Sequence, residues 1–219
     1  MIGTQAYEFG EYLNNNKIRR WIYIYEKKTI GGGFYDEQNQ KNGKWTELSD
    51  EFRRVSQVLY NGEYRNGKKV GRWDSFFREE EKENFLEFVG GLYADQMQGE
   101  STKNGKWVEL NNGFEKFSQI TYNGQYKNGK KVGRWTAFYK DHGKVNFEEI
   151  GCGCYADQIE GESVKIGQWI VLSDQFDKYS QVTLIGEYQM GKRMVNGIFY
   201  IWEKKLVEDH MQLRQKGNP

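Results

Sequence analysis

The sequence predicts an all-β fold: a single elongated, twisted antiparallel sheet, a meander of tandem hairpins. Three observations predict it. The chain repeats with a period of 62 residues: the octapeptide Asn66–Trp73 recurs unchanged as Asn128–Trp135, and Trp45, Trp107 and Trp169 stand 62 apart. Internal repetition of this kind marks units that bury their faces against their neighbours. The apolar weight sits in rings, with 7 Trp, 15 Tyr and 13 Phe beside 26 Gly and one Pro in 219 residues. Alternating segments run straight into Asn-Gly, the strongest short hairpin signal.

In chain order, a half unit spans 7–31, where Gly10, Glu11 and Tyr12 lead to Arg20 and Trp21 with the spacing of Gly62, Glu63 and Tyr64 to Arg72 and Trp73. Units follow over about 32–89, 90–150 and 151–202, so that residues 1–202 form one array. Inside a unit the Trp spacing alternates between 28 and 34, which makes each 62-mer two related sub-repeats. Val58, Tyr60, Gly62 and Tyr64 alternate with Gln57, Leu59, Asn61 and Glu63, the period of a strand with one buried face. Asn66-Gly67 suits a type I′ turn, and Trp73–Phe77 reads as the return strand, with Trp21–Tyr25 and Trp135–Tyr139 as its equivalents. Asp141–Lys144 predicts another turn, and Val145–Ile150 a further strand. Phe52, Phe114 and Phe176 keep the same register. Residues 203–219 form a polar tail or a short capping helix, for which Trp202, Leu206, His210 and Leu213 give one stripe.

A single hairpin is too small to be stable alone. Stacked hairpins would align Trp21, Trp45, Trp73, Trp107, Trp135 and Trp169 with Tyr64, Tyr126 and Tyr188 as ladders on one face. Aromatic burial would then offset the missing aliphatics. The glycines would serve turns and leave room where rings lie flat on the backbone.

The segment Tyr60–Gly71 resembles a MORN repeat: aromatic, x, Gly, acidic, aromatic, x, Asn, Gly, Lys, then a further Gly. The pattern recurs at Tyr122–Gly133 and, more weakly, at Leu184–Gly191. It departs after Gly71 and Gly133, where MORN repeats continue Gly-x-Gly and this chain has Arg72-Trp73 and Arg134-Trp135. That variant is similar to MORN-like units of a bacterial antitoxin family and to long arrays in single-celled eukaryotes. The resemblance covers most of residues 7–202. It implies the hairpin array, contact with phospholipids or protein partners, and an antitoxin- or immunity-like inhibitor as a further alternative.

Several chemistries find no support. Lys+Arg is 32 against 31 Asp+Glu, a net charge of +1, so no nucleic-acid partner is expected. Two Cys exclude a disulfide framework and fit a reducing compartment. No apolar run approaches the roughly 18 residues of a membrane helix. No basic-then-apolar leader is expected at the N-terminus. The run Gly151–Ala156 fits Gly-x-Gly-x-x-Ala, but the acidic stretch after it has no helical stripe to receive a pyrophosphate. Gly32-Gly33 and Gly90-Gly91 are its equivalents, so it reads as a repeat element. Cys152 and Cys154, with His142 nearby, fall short of the four ligands of a structural zinc site. No Gly-x-Ser-x-Gly or Walker A motif occurs. We therefore expect no enzyme, cofactor, metal or small-molecule substrate.

The remaining candidate surface is basic. Lys68, Lys69 and Arg72, then Lys130, Lys131 and Arg134, with Lys192 and Arg193 as a third copy, would repeat along one edge. Such a ridge suits a protein partner or an anionic membrane surface, or guards an exposed edge against aggregation. The expectation is a non-enzymatic scaffold that binds proteins, cytoplasmic and associated with a cytoskeletal or ciliary assembly.

Overall fold

The computed structural model describes residues 5–94, 100–157, 162–174 and 176–194, and the backbone of 198–201. Every regular element among them is a strand. The chain divides into two compact units, one of residues up to Lys116 with Gln125–Lys130, the other of Phe117–Gly124 with the residues from Lys131 onward. The tail over 203–219 and its capping-helix stripe lie outside the described residues.

The first unit contains β1 (Tyr7–Leu13), β2 (Asn16–Tyr25), β3 (Lys28–Tyr35), β4 (Lys41–Leu48), β5 (Gln57–Arg65), β6 (Lys68–Arg78), β7 (Leu86–Ala94) and β8 (Thr102–Leu110). Each pairs antiparallel with its neighbour in sequence. Short connections leave no other economical arrangement. The second unit takes the first part of β9 (Gln119–Lys127), then β10 (Lys130–Lys140), β11 (Glu148–Tyr155), β12 (Lys165–Leu172) and β13 (Val182–Gln189). Strands β10 to β13 continue the same antiparallel order. The short β14 (Lys192–Arg193) and β15 (Ile198–Ile201) both pair with β13.

The hairpin turns take the predicted form. Asn66 and Gly67 have φ of 49° and 75°, and Asn128 and Gly129 have 51° and 80°, the left-handed pair that a type I′ turn demands. Glu26 and Lys27 adopt the same conformation at 50° and 63° without any sequence signal. The Gly67 and Gly129 amides also donate to the Lys41 and Lys103 carbonyls at 3.0 and 2.9 Å, which ties each turn to the strand before it.

Three predicted details change. Val58 and Leu59 are both buried, so β5 is not a one-faced strand at its start. Leu59 sits between Leu48 and Phe76 on the second face. A register shift between Asn61 and Glu63 then breaks the simple alternation. The third is the strand expected at Val145–Ile150, which begins instead at Glu148, with Val145 exposed in the preceding loop. Gly151–Tyr155 therefore lies within β11 rather than in a phosphate-binding turn.

Each unit has a compact core where a loop folds onto the sheet. In the first unit Phe114 packs with Val58 and Phe77, flanked by Tyr60, Phe88 and Leu110. The Ser56 hydroxyl donates to the Phe114 carbonyl at 2.7 Å and holds the loop down. In the second, Phe176 packs with Ile120, Ala137, Tyr139 and Ile150. Phe52, Phe114 and Phe176 meet Tyr25, Phe77 and Tyr139 edge-on at 5.3, 5.0 and 5.4 Å, so the Phe register marks a repeated plug.

Candidate functional site

The most regular constellation is the aromatic ladder, and its rung has a fixed recipe. One strand supplies Gly-x-Tyr and the next supplies Lys-x-x-x-Trp. The indoles of Trp21, Trp45, Trp73, Trp107, Trp135 and Trp169 lie flat on Gly10, Gly33, Gly62, Gly91, Gly124 and Gly153. A Cβ on any of these glycines would stand between 2.0 and 2.4 Å from the ring Cδ2. No side chain fits there, so these glycines are spacers rather than turn residues. The Lys four residues before each Trp, at 17, 41, 69, 103, 131 and 165, places its Nζ between 3.9 and 4.7 Å from the indole centroid. Such a cation–π contact contributes about 0.5–2 kcal/mol. Tyr12, Tyr35, Tyr64, Tyr93 and Tyr126 in the first unit, and Tyr155 and Tyr188 in the second, meet the indoles edge-on. Five of the indole Nε1 groups donate to a backbone carbonyl at 3.2 Å.

Carboxylates complete three of the rungs: Glu8 pairs with Lys17 at 2.5 Å, and Glu47 and Glu109 serve later copies. Glu47 accepts from Lys41, from Lys69 at 2.8 Å and from the Tyr64 hydroxyl at 2.8 Å. Burial alone would push its carboxyl up, but the hydrogen bonds from Lys41, Lys69 and Tyr64 hold it below the ordinary range. Tyr64 moves the other way, raised by burial and then by its bond to Glu47. Glu109 repeats the arrangement with Lys103 and with the Tyr126 hydroxyl at 2.7 Å.

The third copy differs. The register puts Val171 where Glu47 and Glu109 stand. Lys165 lies over Trp169 at 4.6 Å and near Tyr188 at 5.1 Å, and among the described residues no carboxylate pairs with it. Its pKa is lowered, first by burial and then by the charge of Lys131. Two clefts show the contrast. One in the first unit, of about 300 Å³, is lined by Lys69, Trp73, Tyr93, Lys103, Trp107 and Glu109. One in the second, of about 290 Å³, is lined by Lys131, Trp135, Tyr155, Lys165, Trp169 and Val171, each the equivalent 62 residues on.

The eight predicted basic residues separate. Lys69 and Lys131 turn onto Trp73 and Trp135 as ladder components. Lys68 and Arg72 alternate with Lys69 along β6 and so face the other way, and both are exposed. Arg72 pairs with Asp74 at 2.7 Å, and Arg134 with Glu149 at 2.8 Å. Lys130 is half-buried and Lys192 exposed. Arg193 lies against Gly186, its Nε 3.0 Å from where a Cβ would stand, in the position an indole takes elsewhere. Cys152 is buried and Cys154 exposed, although two residues apart. His142 packs its ring on Phe117.

Lys17, Lys41, Lys103, Lys165, Glu47 and Glu109 escape a reading that follows only runs of charge. The signal was present as a Lys four residues before every ladder Trp. No protein-family model matches the chain, and no curated protein matches it.

Proposed function

We propose that this chain is a non-enzymatic, MORN-like repeat scaffold that binds protein partners by adding a strand to β1. The observation that carries the reading is the surface of that strand. Among the described residues β1 is paired on one side only, by β2. Tyr7, Phe9, Tyr12 and Leu13 on it are 57%, 66%, 61% and 59% exposed. An unpaired edge offers backbone donors and acceptors, and alternate apolar side chains give a docking strand its specificity. Tyr12 meets Trp21 at 5.0 Å and leaves its other side open, so the ladder can accept another ring.

Internal ion pairing supports a protein partner over an anionic membrane. Lys69, Arg72 and Arg134 already face carboxylates within the chain. A cytoskeletal or ciliary setting belongs to the same proposal. The test is affinity capture from source cells with the wild type and a Phe9→Lys, Leu13→Lys variant, read by mass spectrometry. Partners held by the wild type and lost by the variant are expected. The same set on both baits would overturn the reading. Anionic vesicles that float the wild type but not Lys68→Ala, Lys192→Ala would replace it with membrane binding.

A further inference from the structure

The chain contains its own control for one cleft. In the copies at Glu47 and Glu109, a side-chain carboxylate takes the place beside the ladder lysine and receives the adjacent Tyr hydroxyl. In the third copy the lysine, the indole and the tyrosine are all kept, and only the acid is replaced. The replacement is Val171, which is shorter than Glu and carries no charge, at the wall of a cleft about as large as its Glu109 counterpart. The surroundings are also more apolar: Ser75 in the first cleft becomes Ala137, and the apolar Val108 becomes the larger Ile170.

We infer that the cleft of the second unit is a binding site for a carboxylate carried on a flat apolar body. The carboxylate takes the place that Glu109 fills in the earlier copy, with Lys165 Nζ and the Tyr188 hydroxyl as donors. The body lies in the cleft over Trp135, Tyr155 and Trp169, against Ile170 and Val171. Three facts fix the class. The slot is shaped for a carboxylate, because the same chain fills it with one twice. Its walls are aromatic and aliphatic, the usual lining of a small-ligand pocket with a few convergent polar groups. Its volume of about 290 Å³ admits a bicyclic ring. The lowered pKa of Lys165 agrees, since a half-buried ammonium with no counter-charge among the described residues gains most from a bound anion. This inference does not rest on the β1 edge.

The probe is 2-naphthoate, with neutral 2-naphthalenemethanol as the matched control, titrated calorimetrically into the full chain. Wild type is expected to bind one naphthoate with a Kd of about 1 mM or tighter, reasonable for a ligand of this size. The alcohol is expected to bind at least tenfold more weakly. Val171→Glu restores the internal acid of the other copies and is expected to weaken naphthoate at least tenfold without lowering the melting temperature. Lys165→Met keeps the stem over Trp169 and removes the charge, with the same expected loss. Phe9→Lys, Leu13→Lys leaves binding unchanged, so failure here is distinct from failure of the edge-strand reading. No naphthoate heat from wild type at 5 mM (roughly five times that expected Kd), equal affinity for the alcohol, or undiminished binding by Val171→Glu would each overturn the inference.

Discussion

The Glu47 and Val171 copies of the rung share a backbone register, a flat indole and a capping lysine, yet their electrostatics are opposite. At Glu47 the acid draws in two lysines and a tyrosine hydroxyl, and the carboxyl is held ionised below its ordinary range. At Val171 the lysine is half-buried beside another lysine, and its own proton affinity falls. The same scaffold therefore places a carboxylate beside the lysine in one unit and, at the equivalent position of the other, an apolar side chain. Stacking specifies the array, and in the copies that begin at Lys41, Lys103 and Lys165 the position six residues after the lysine, Glu47, Glu109 or Val171, sets the charge beside it.

Removing a ring breaks both copies alike and has the largest effect. Trp107→Ala is expected to cost about 3–5 kcal/mol in urea unfolding, the range for deleting a core aromatic. Trp169→Ala should match it, because stacking rather than the acid holds the rung. A midpoint unchanged in either variant would show that the ladder is not the core.

Removing the acid separates the copies. Glu47→Gln is expected to cost about 1–3 kcal/mol near neutral pH, the range for leaving buried partners unmet. The sign with pH follows from linkage. The folded carboxyl ionises more readily than the unfolded one, so its contribution is fully present above the ordinary value of 4.5. It is lost as pH falls through the lower folded value. Urea midpoints between pH 7 and pH 3 should fall more steeply for wild type than for Glu47→Gln.

Adding an acid where there is none has the smallest effect. Val171→Glu is expected to change stability by about 0–1 kcal/mol in the favourable direction, as an ion pair near the surface does. A loss larger than that would mean the Val171 slot has closed around its apolar side chain. The two copies would then no longer be equivalent.

The parts of this fold written in local chemistry were legible in the sequence. Asn66-Gly67 announced its hairpin because few residues accept two left-handed positions in a row, and the Gly-x-Tyr register placed the rings. What escaped depends on strand pairing and packing rather than on the residue's own preference. Glu26 and Lys27 are driven into a left-handed turn by strands β2 and β3 pairing on either side, not by their own preference. Leu59 is buried because Leu48 and Phe76 flank it, which period-two alternation cannot reveal. Lys69 looked like part of a basic ridge because Lys68 and Arg72 are its neighbours in sequence. On a strand those neighbours face the other way, and Trp73 with Glu47 captures its ammonium.

The central claim is that the ladder glycines exist to let an indole lie on bare backbone. A double-mutant cycle between Gly91 and Trp107 tests it most directly, using Gly91→Ala, Trp107→Leu and the double variant in urea unfolding. In wild type the added methyl would meet the ring at 2.3 Å, so Gly91→Ala alone should cost about 1–3 kcal/mol. In the Trp107→Leu background the clash is relieved, and Gly91→Ala should cost little there, giving a coupling of about 1–3 kcal/mol. Additive losses, with Gly91→Ala equally harmful in both backgrounds, would contradict the account.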